Sequence, residues 1–201
     1  SDVYKRQNNR VLNMQSEKVV FATGGYGGKE IKDLKNFWLP IKTFIGVTKP
    51  LGNELQSVLK KPLGFSDNRR AGNYYRVLPG NRLSWGRGIS AVGKFTYSNL
   101  KRAISKEINY FFPELRNVEI EYVWSGNMAY ASHYMPYVGS TKIGNEEKNV
   151  FTLMGFGGHG MNTAPGSAMV LADFILGKNN KHKVFNRFRR KSVSYTHLTL
   201  P

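Results

Sequence analysis

The chain has 201 residues, enough for one domain or two small ones, and its 40% hydrophobic content supports a real core. It contains no cysteine, which excludes disulfides, a thiolate nucleophile and Cys-ligated metal, and no apolar run reaches the length of a membrane span. Its 30 Lys and Arg against 13 Asp and Glu give a net charge of +17, which raises nucleic acid or an acidic surface as a partner.

The basic residues are dispersed, apart from KNNKHKVFNRFRRK at 178–191, which reads as a solvated tail. A reducing, cytoplasmic setting is the default expectation for a chain of this composition. The two ends look foreign. SDVYKRQ (1–7) and VSYTHL (193–198) can be encoded by opposite strands of one DNA segment, which resembles a sequencing-library transposon adapter. Residues 1–7 and 192–201 are therefore expected to be scars that take no part in the fold, and the remainder to be a piece of a longer protein.

In chain order, EKVVFATGG (17–25) contains a short buried strand, Val19 to Ala22, stopped by a loop with four glycines in 24–28. IKTFIGVTKPLG (41–52) holds a second strand closed by Pro50, and NELQSVLKK (53–61) is a short helix with Leu55, Val58 and Leu59 on one side. YYRVLPGNRLSWGRG (74–88) reads as a hairpin that turns at Pro79-Gly80-Asn81. SNLKRAISKEINYFFPEL (98–115) is an amphipathic helix with Leu100, Ile104, Ile108 and Phe111 on one face, Ser98 as candidate cap and Pro113 at its end. VEIEYVW (118–124) alternates, which puts Ile120, Tyr122 and Trp124 on one face of a strand. NVFTLMG (149–155) is another buried strand, and TAPGSAMVLADFILG (163–177) an apolar helix with Pro165 near its first turn and Gly177 past its end. The fold class is α/β (α+β).

Between the last strand and helix, Gly155, Gly157 and Gly160 spell G-x-G-x-x-G. Glycine admits positive φ and close approach of a ligand, and the following helix offers unpaired N–H groups to an anion. A first βαβ dinucleotide unit would need an acidic residue at the end of a second strand, about 20 positions on. Asp173 lies near that distance but inside the helix, so spacing alone leaves a ligand site and a plain tight turn both open.

VVFATGG, YYRVLPGNRLSWGRG, YVWSGNMAYASHYMPYVG and NVFTLMGFGGHGMNTAPGSAMVLADFILG together resemble the C-terminal part of the FAD-dependent D-amino-acid oxidase/glycine oxidase superfamily, most of all its γ-glutamylputrescine oxidoreductase type. The pieces stand in the family's order. The resemblance implies a partial Rossmann-like FAD-binding domain (8–40 and 136–191) interleaved with an antiparallel-sheet substrate domain (41–135). It implies cofactor contacts at Ala22, Thr23, Gly24, Gly25, Gly155, Gly157, Gly158, His159, Gly160, Met161 and Asn162. The late glycine turn would face the pyrimidine edge of the flavin, and its amides and helix dipole would stabilise the negative charge that arrives with hydride. FAD would be non-covalent, or less readily linked through His159.

The implied reaction is oxidation of a C–N bond: hydride to flavin N5, imine hydrolysis, and reoxidation by dioxygen with peroxide formation or by another acceptor. No metal is implied and no catalytic residue is assigned. Tyr75, Arg76, Trp124 and Asn127 are the substrate-side candidates. Tyr74, Tyr75, Trp85 and Trp124 stay open between lining a cavity and packing a core, and Arg76 between a carboxylate contact and a surface position. His133 has no assigned role. Many amino-acid oxidases of the resembled group place an arginine shortly after the W-x-G segment; here it reads Trp124-Ser125-Gly126-Asn127-Met128, which tilts the substrate toward an amine such as a γ-glutamylated polyamine. The chain by itself is expected to bind FAD weakly or not at all and to be inactive. The competing reading is a basic module for nucleic acid or an acidic surface, without catalysis; the enzyme reading expects no specific nucleic-acid partner.

Overall fold

The long run WLPIKTFIGVT, rich in β-branched and aromatic residues, becomes a strand that receives partners on both sides. A computed structural model describes residues 15–27, 37–69, 72–90, 96–115, 117–141 and 149–187. The two terminal tails and Gly28 lie outside them. The elements are β1 (Val19–Phe21), β2 (Trp38–Thr48), α1 (Gly52–Val58), β3 (Gly64–Ser66), β4 (Tyr74–Leu78), β5 (Arg82–Ser90), α2 (Tyr97–Phe111), β6 (Ile120–Ala131), β7 (Tyr137–Ser140), β8 (Val150–Met154) and α3 (Gly160–Ile175). Two short 3-10 segments, Gly24–Tyr26 and Lys181–Arg187, complete them.

β2 to β6 form an antiparallel sheet in the order β3-β4-β5-β2-β6. The hairpin between β4 and β5 turns where the sequence places it, with Gly80 at φ 77° and Asn81 at φ 53°. A smaller sheet has the order β1-β8-β7, with β1 parallel and β7 antiparallel to β8. It packs under α3 through Val138, Phe151 and Leu171. Trp38 and Ala129 of the larger sheet meet Met154 and Phe21 of the smaller one, so the two share an apolar seam.

The helices α1 and α2 cover one face of the larger sheet. Leu55, Leu83, Trp85, Ile104 and Ile108 are fully enclosed there, each contributing on the order of 1.5–3 kcal/mol by leaving water. Trp85 stacks on Tyr75 with ring centroids 4.6 Å apart, and its indole N–H donates to Glu107 at 3.2 Å. Gly46 belongs to this face: a Cβ there would lie 2.9 Å from Ile104.

Several expectations are corrected. The cap of α2 is Thr96, whose hydroxyl accepts from the Asn99 amide at 3.3 Å; Thr96 keeps the extended ψ of 146° that a cap requires, whereas Ser98 is already helical. Phe111 keeps to the expected face, with its ring 5.6 Å from Trp85, but stays 41% exposed, and Phe112 also packs on the core as the chain leaves the helix. Ile120 does not share a face with Tyr122 and Trp124. A bulge sets Val47 opposite Tyr122 but Thr48 opposite Ile120, so Glu121 is skipped and the alternation reverses. Ile120 enters the core, while Tyr122 and Trp124 point away and stay 56% and 46% exposed. Val19 and Val20, read as a buried strand, lie exposed on the edge of the smaller sheet. α3 starts at Gly160, earlier than expected, which puts Pro165 inside the helix and leaves the Met161 carbonyl without its usual donor. The basic tail is not wholly solvated: in Lys181–Arg187 His182 is buried and Phe185 packs against the cluster under α3.

Candidate functional site

β6 is an edge strand, and its outer edge offers backbone groups that no strand of the larger sheet takes up. Two glycine segments occupy that edge. The Asn127 amide donates to the hydroxyl of Tyr26 at 3.0 Å, seating the turn Gly24–Tyr26 against the strand. Two residues along, the Gly157 amide donates to the Ala129 carbonyl at 2.8 Å, and Phe156 forms a bridge with Tyr130. Equivalent positions two apart on a strand are separated by about 6.6 Å. Segments distant in sequence are thus held side by side by one strand.

Glycine is required at the contacts. A Cβ on Gly25 would lie 2.6 Å from the Asn127 carbonyl oxygen. Gly157 and Gly158 adopt φ of 55° and 87°. A side chain on Gly157 would press the Tyr130 ring at 3.3 Å, and one on Gly158 would meet Met128 Sδ at 3.1 Å and the Tyr130 hydroxyl at 3.4 Å.

The turn delivers the chain into α3 with its N-terminus uncapped by a side chain. The first helical bond runs from the Thr163 amide to the His159 carbonyl at 3.2 Å, so the amides of Gly160, Met161 and Asn162 have no acceptor within the helix. Met161 is 95% exposed, and His159 and Asn162 are exposed beside it. Donors at a helix start, next to backbone with no side chain, suit an anionic or electron-rich ligand. No His, Asp or Glu group suited to a metal occurs among the described residues. Burial pushes the Tyr130 hydroxyl above the usual tyrosine range, so it stays protonated near neutral pH.

Of the cofactor-side candidates, Gly25, Gly157 and Gly158 come together along β6, with Ala22 to Gly24 leading in and His159 to Asn162 leading out. Gly155 ends β8 at φ 86°, and a Cβ there would lie 3.3 Å from the Tyr137 ring, so it packs on β7. The substrate-side candidates divide. Arg76 and Trp124 lie on the face opposite α2, with Tyr74 and Tyr122. Tyr74 lies flat on Gly86 and places its hydroxyl 3.3 Å from Thr43 Oγ1. Tyr75 is on the α2 face, stacked between Phe65 and Trp85, and Trp85 is wholly buried. Asn127 alternates away from Trp124, toward the Gly24–Tyr26 side. Tyr26, Met128 and Tyr130 were missed. Positions 128 and 130 share parity with Trp124, which pointed to them; nothing local marks Tyr26.

Residues 2–174 match the family model described as FAD-dependent oxidoreductase, DAO. The chain is 26% identical to the probable oxidoreductase OrdL of Haemophilus influenzae, over 89% of the chain and 40% of that protein. It is 25% identical to gamma-glutamylputrescine oxidoreductase of Escherichia coli, over 83% of the chain and 38% of that protein. The chain therefore spans about 40% of the length of these curated relatives. Its fold matches glycine oxidase from Geobacillus kaustophilus with a TM-score of 0.61 at 19% identity, covering 83% of this chain and 43% of that one. It matches L-proline dehydrogenase from P. horikoshii with a TM-score of 0.61 at 21% identity, covering 84% and 45%.

Proposed function

The chain belongs to the DAO family of FAD-dependent oxidoreductases, and from that premise we propose that the two glycine turns on β6 hold the flavin of an enzyme that oxidises a C–N bond in an amine or amino acid. The observation that carries this is the close approach of Gly25 to Asn127 and the hydrogen bond of Gly157 to Ala129 on one strand edge, beside three helix-start amides without helical acceptors. The residues present fit a flavin: glycine leaves backbone open to close approach, and amide donors without helical acceptors could hold negative charge beside it.

When bound, FAD supplies the hydride acceptor. The amides of Gly160, Met161 and Asn162 would stabilise anionic character at the ring's pyrimidine edge, by about 0.3–1 kcal/mol and up to about 2 kcal/mol in a partly buried geometry. Met128 and Tyr130 support the glycine turn from the sheet. The open sheet face, with Tyr74, Trp124 and Arg76, would orient the substrate. Met128 brings a thioether to that face beside Gly158, and no guanidinium clamps a carboxylate at that position. This favours an amine of the γ-glutamylputrescine kind, with peroxide formed when dioxygen is the acceptor. The nucleic-acid reading is supported by net charge alone, and the partial burial of the basic tail weakens that support.

The test is the intact protein that carries this chain, assayed for bound flavin and for peroxide with γ-glutamylputrescine, glycine and proline. Flavin retention with fastest turnover of the amine supports the proposal. A colourless protein defeats the cofactor assignment, and preference for an amino acid defeats the substrate assignment alone.

A further inference from the structure

The chain after α3 folds back as the 3-10 segment Lys181–Arg187 and packs on α3 and β7. Two side chains anchor it. Phe185 joins Val138, Phe151 and Leu171 beneath the helix. His182 is 5% exposed and stacks on Phe174 of α3, with ring centroids 3.6 Å apart and planes inclined by 27°. Its Nδ1 is buried and has no hydrogen-bond partner among the described residues.

The surroundings suit a neutral imidazole. Lys181 and Lys183 flank it on its own segment. The sole charged residue of α3 is Asp173, already engaged by Lys178 at 3.8 Å and by the Asn179 amide group at 3.0 Å. The cluster joining β7, β8 and α3 at this place is apolar: Val138, Phe151 and Leu153 from the strands and Leu171 from the helix. A proton on His182 would place a cation in a site shut off from water and flanked by two lysines, and among the described residues no free carboxylate faces it; the stacked Phe174 ring is the one contact that would favour the charge.

We infer that Lys181–Arg187 is an acid-releasable clamp on α3, held down by neutral His182 and freed when that ring takes up a proton. The sign follows from linkage. Burial, and then the Lys183 charge, lower the His182 pKa below the ordinary 6.5 in the docked state, while the released ring titrates normally. Release therefore binds protons, so docking is complete above that ordinary value and is lost as pH falls below it. Release would uncover Phe174 and Phe151 at one end of the helix whose other end carries the candidate flavin amides.

The test is hydrogen exchange of the 181–187 amides in the full chain at pH 7.5 and 5.5 (chosen to bracket about 6.5), corrected for intrinsic rates, beside His182→Phe. Protection should fall several-fold in acid in the natural chain and stay level in the phenylalanine variant. Equal loss in both, or no loss in either, overturns the inference. If the variant fails to dock at neutral pH, the His182 ring resonance of the natural chain decides. Titration below the ordinary histidine value, together with the acid loss of protection, upholds the clamp; titration at or above that value overturns it.

Discussion

The Gly157 amide donates to the Ala129 carbonyl at 2.8 Å, which fixes the late glycine turn to the strand that also carries Asn127 under the early turn. One strand edge thus sets the spacing of two segments that sequence separates widely. The candidate flavin site inherits the rigidity of β6 and does not depend on loop stiffness alone.

Gly158→Val tests the turn. Valine at φ 87° is strained, and its branches would meet Met128 Sδ and the Tyr130 hydroxyl. The expected local cost is about 1–3 kcal/mol. In the intact protein, flavin affinity should fall at least about tenfold, as roughly 1.4 kcal/mol dictates, and fluorescence titration of flavin release measures it.

Tyr26→Phe removes the acceptor of the Asn127 amide but leaves the ring in place. The amide is near solvent, so a loss of about 0.5–1.5 kcal/mol is expected. A urea midpoint shift should report it, with slope unchanged. A loss several times larger would mean that the early turn is integral to the core.

Trp85→Ala should be far more damaging. The indole is wholly buried, stacked on Tyr75 and bonded to Glu107. Removal should cost about 3–5 kcal/mol through the cavity and lost transfer energy. Thermal melting of the variant checks this; a change near zero would place Trp85 at a surface.

Asp67 gives a pH signature separate from the histidine clamp. Its side chain accepts from the Arg69 guanidinium and from the amides of Asn73 and Arg69, and the Arg69 bond above all lowers its pKa from 3.8 to about 2. The folded form holds its proton more weakly, so this stabilisation is present above about pH 4 and is lost as pH falls toward 2. Asp67→Asn should remove that part of the acid dependence, as acid titration followed by circular dichroism will show.

Elements whose signals are local were legible in the sequence: the turn at Pro79-Gly80-Asn81, the buried stripe of Leu100, Ile104 and Ile108, and the glycine run before α3. Features set by distant partners were not. The bulge at Glu121 depends on the register of β6 with β2. Which of Tyr74 and Tyr75 faces the open side depends on the pairing of β4 with β5, where Gly86 makes room for the Tyr74 ring. The docking of His182 and Phe185 needs a surface built from β7, β8 and α3, invisible in a run of basic residues. Tyr26 escaped because its partner lies 101 positions away.

The most direct measurement is a structure of the intact protein with FAD, read at Gly160, Met161 and Asn162. One or more of these amides should lie within about 2.7–3.2 Å of the flavin's pyrimidine edge. Amides turned away from the ring, or a protein without flavin, would contradict the flavin assignment.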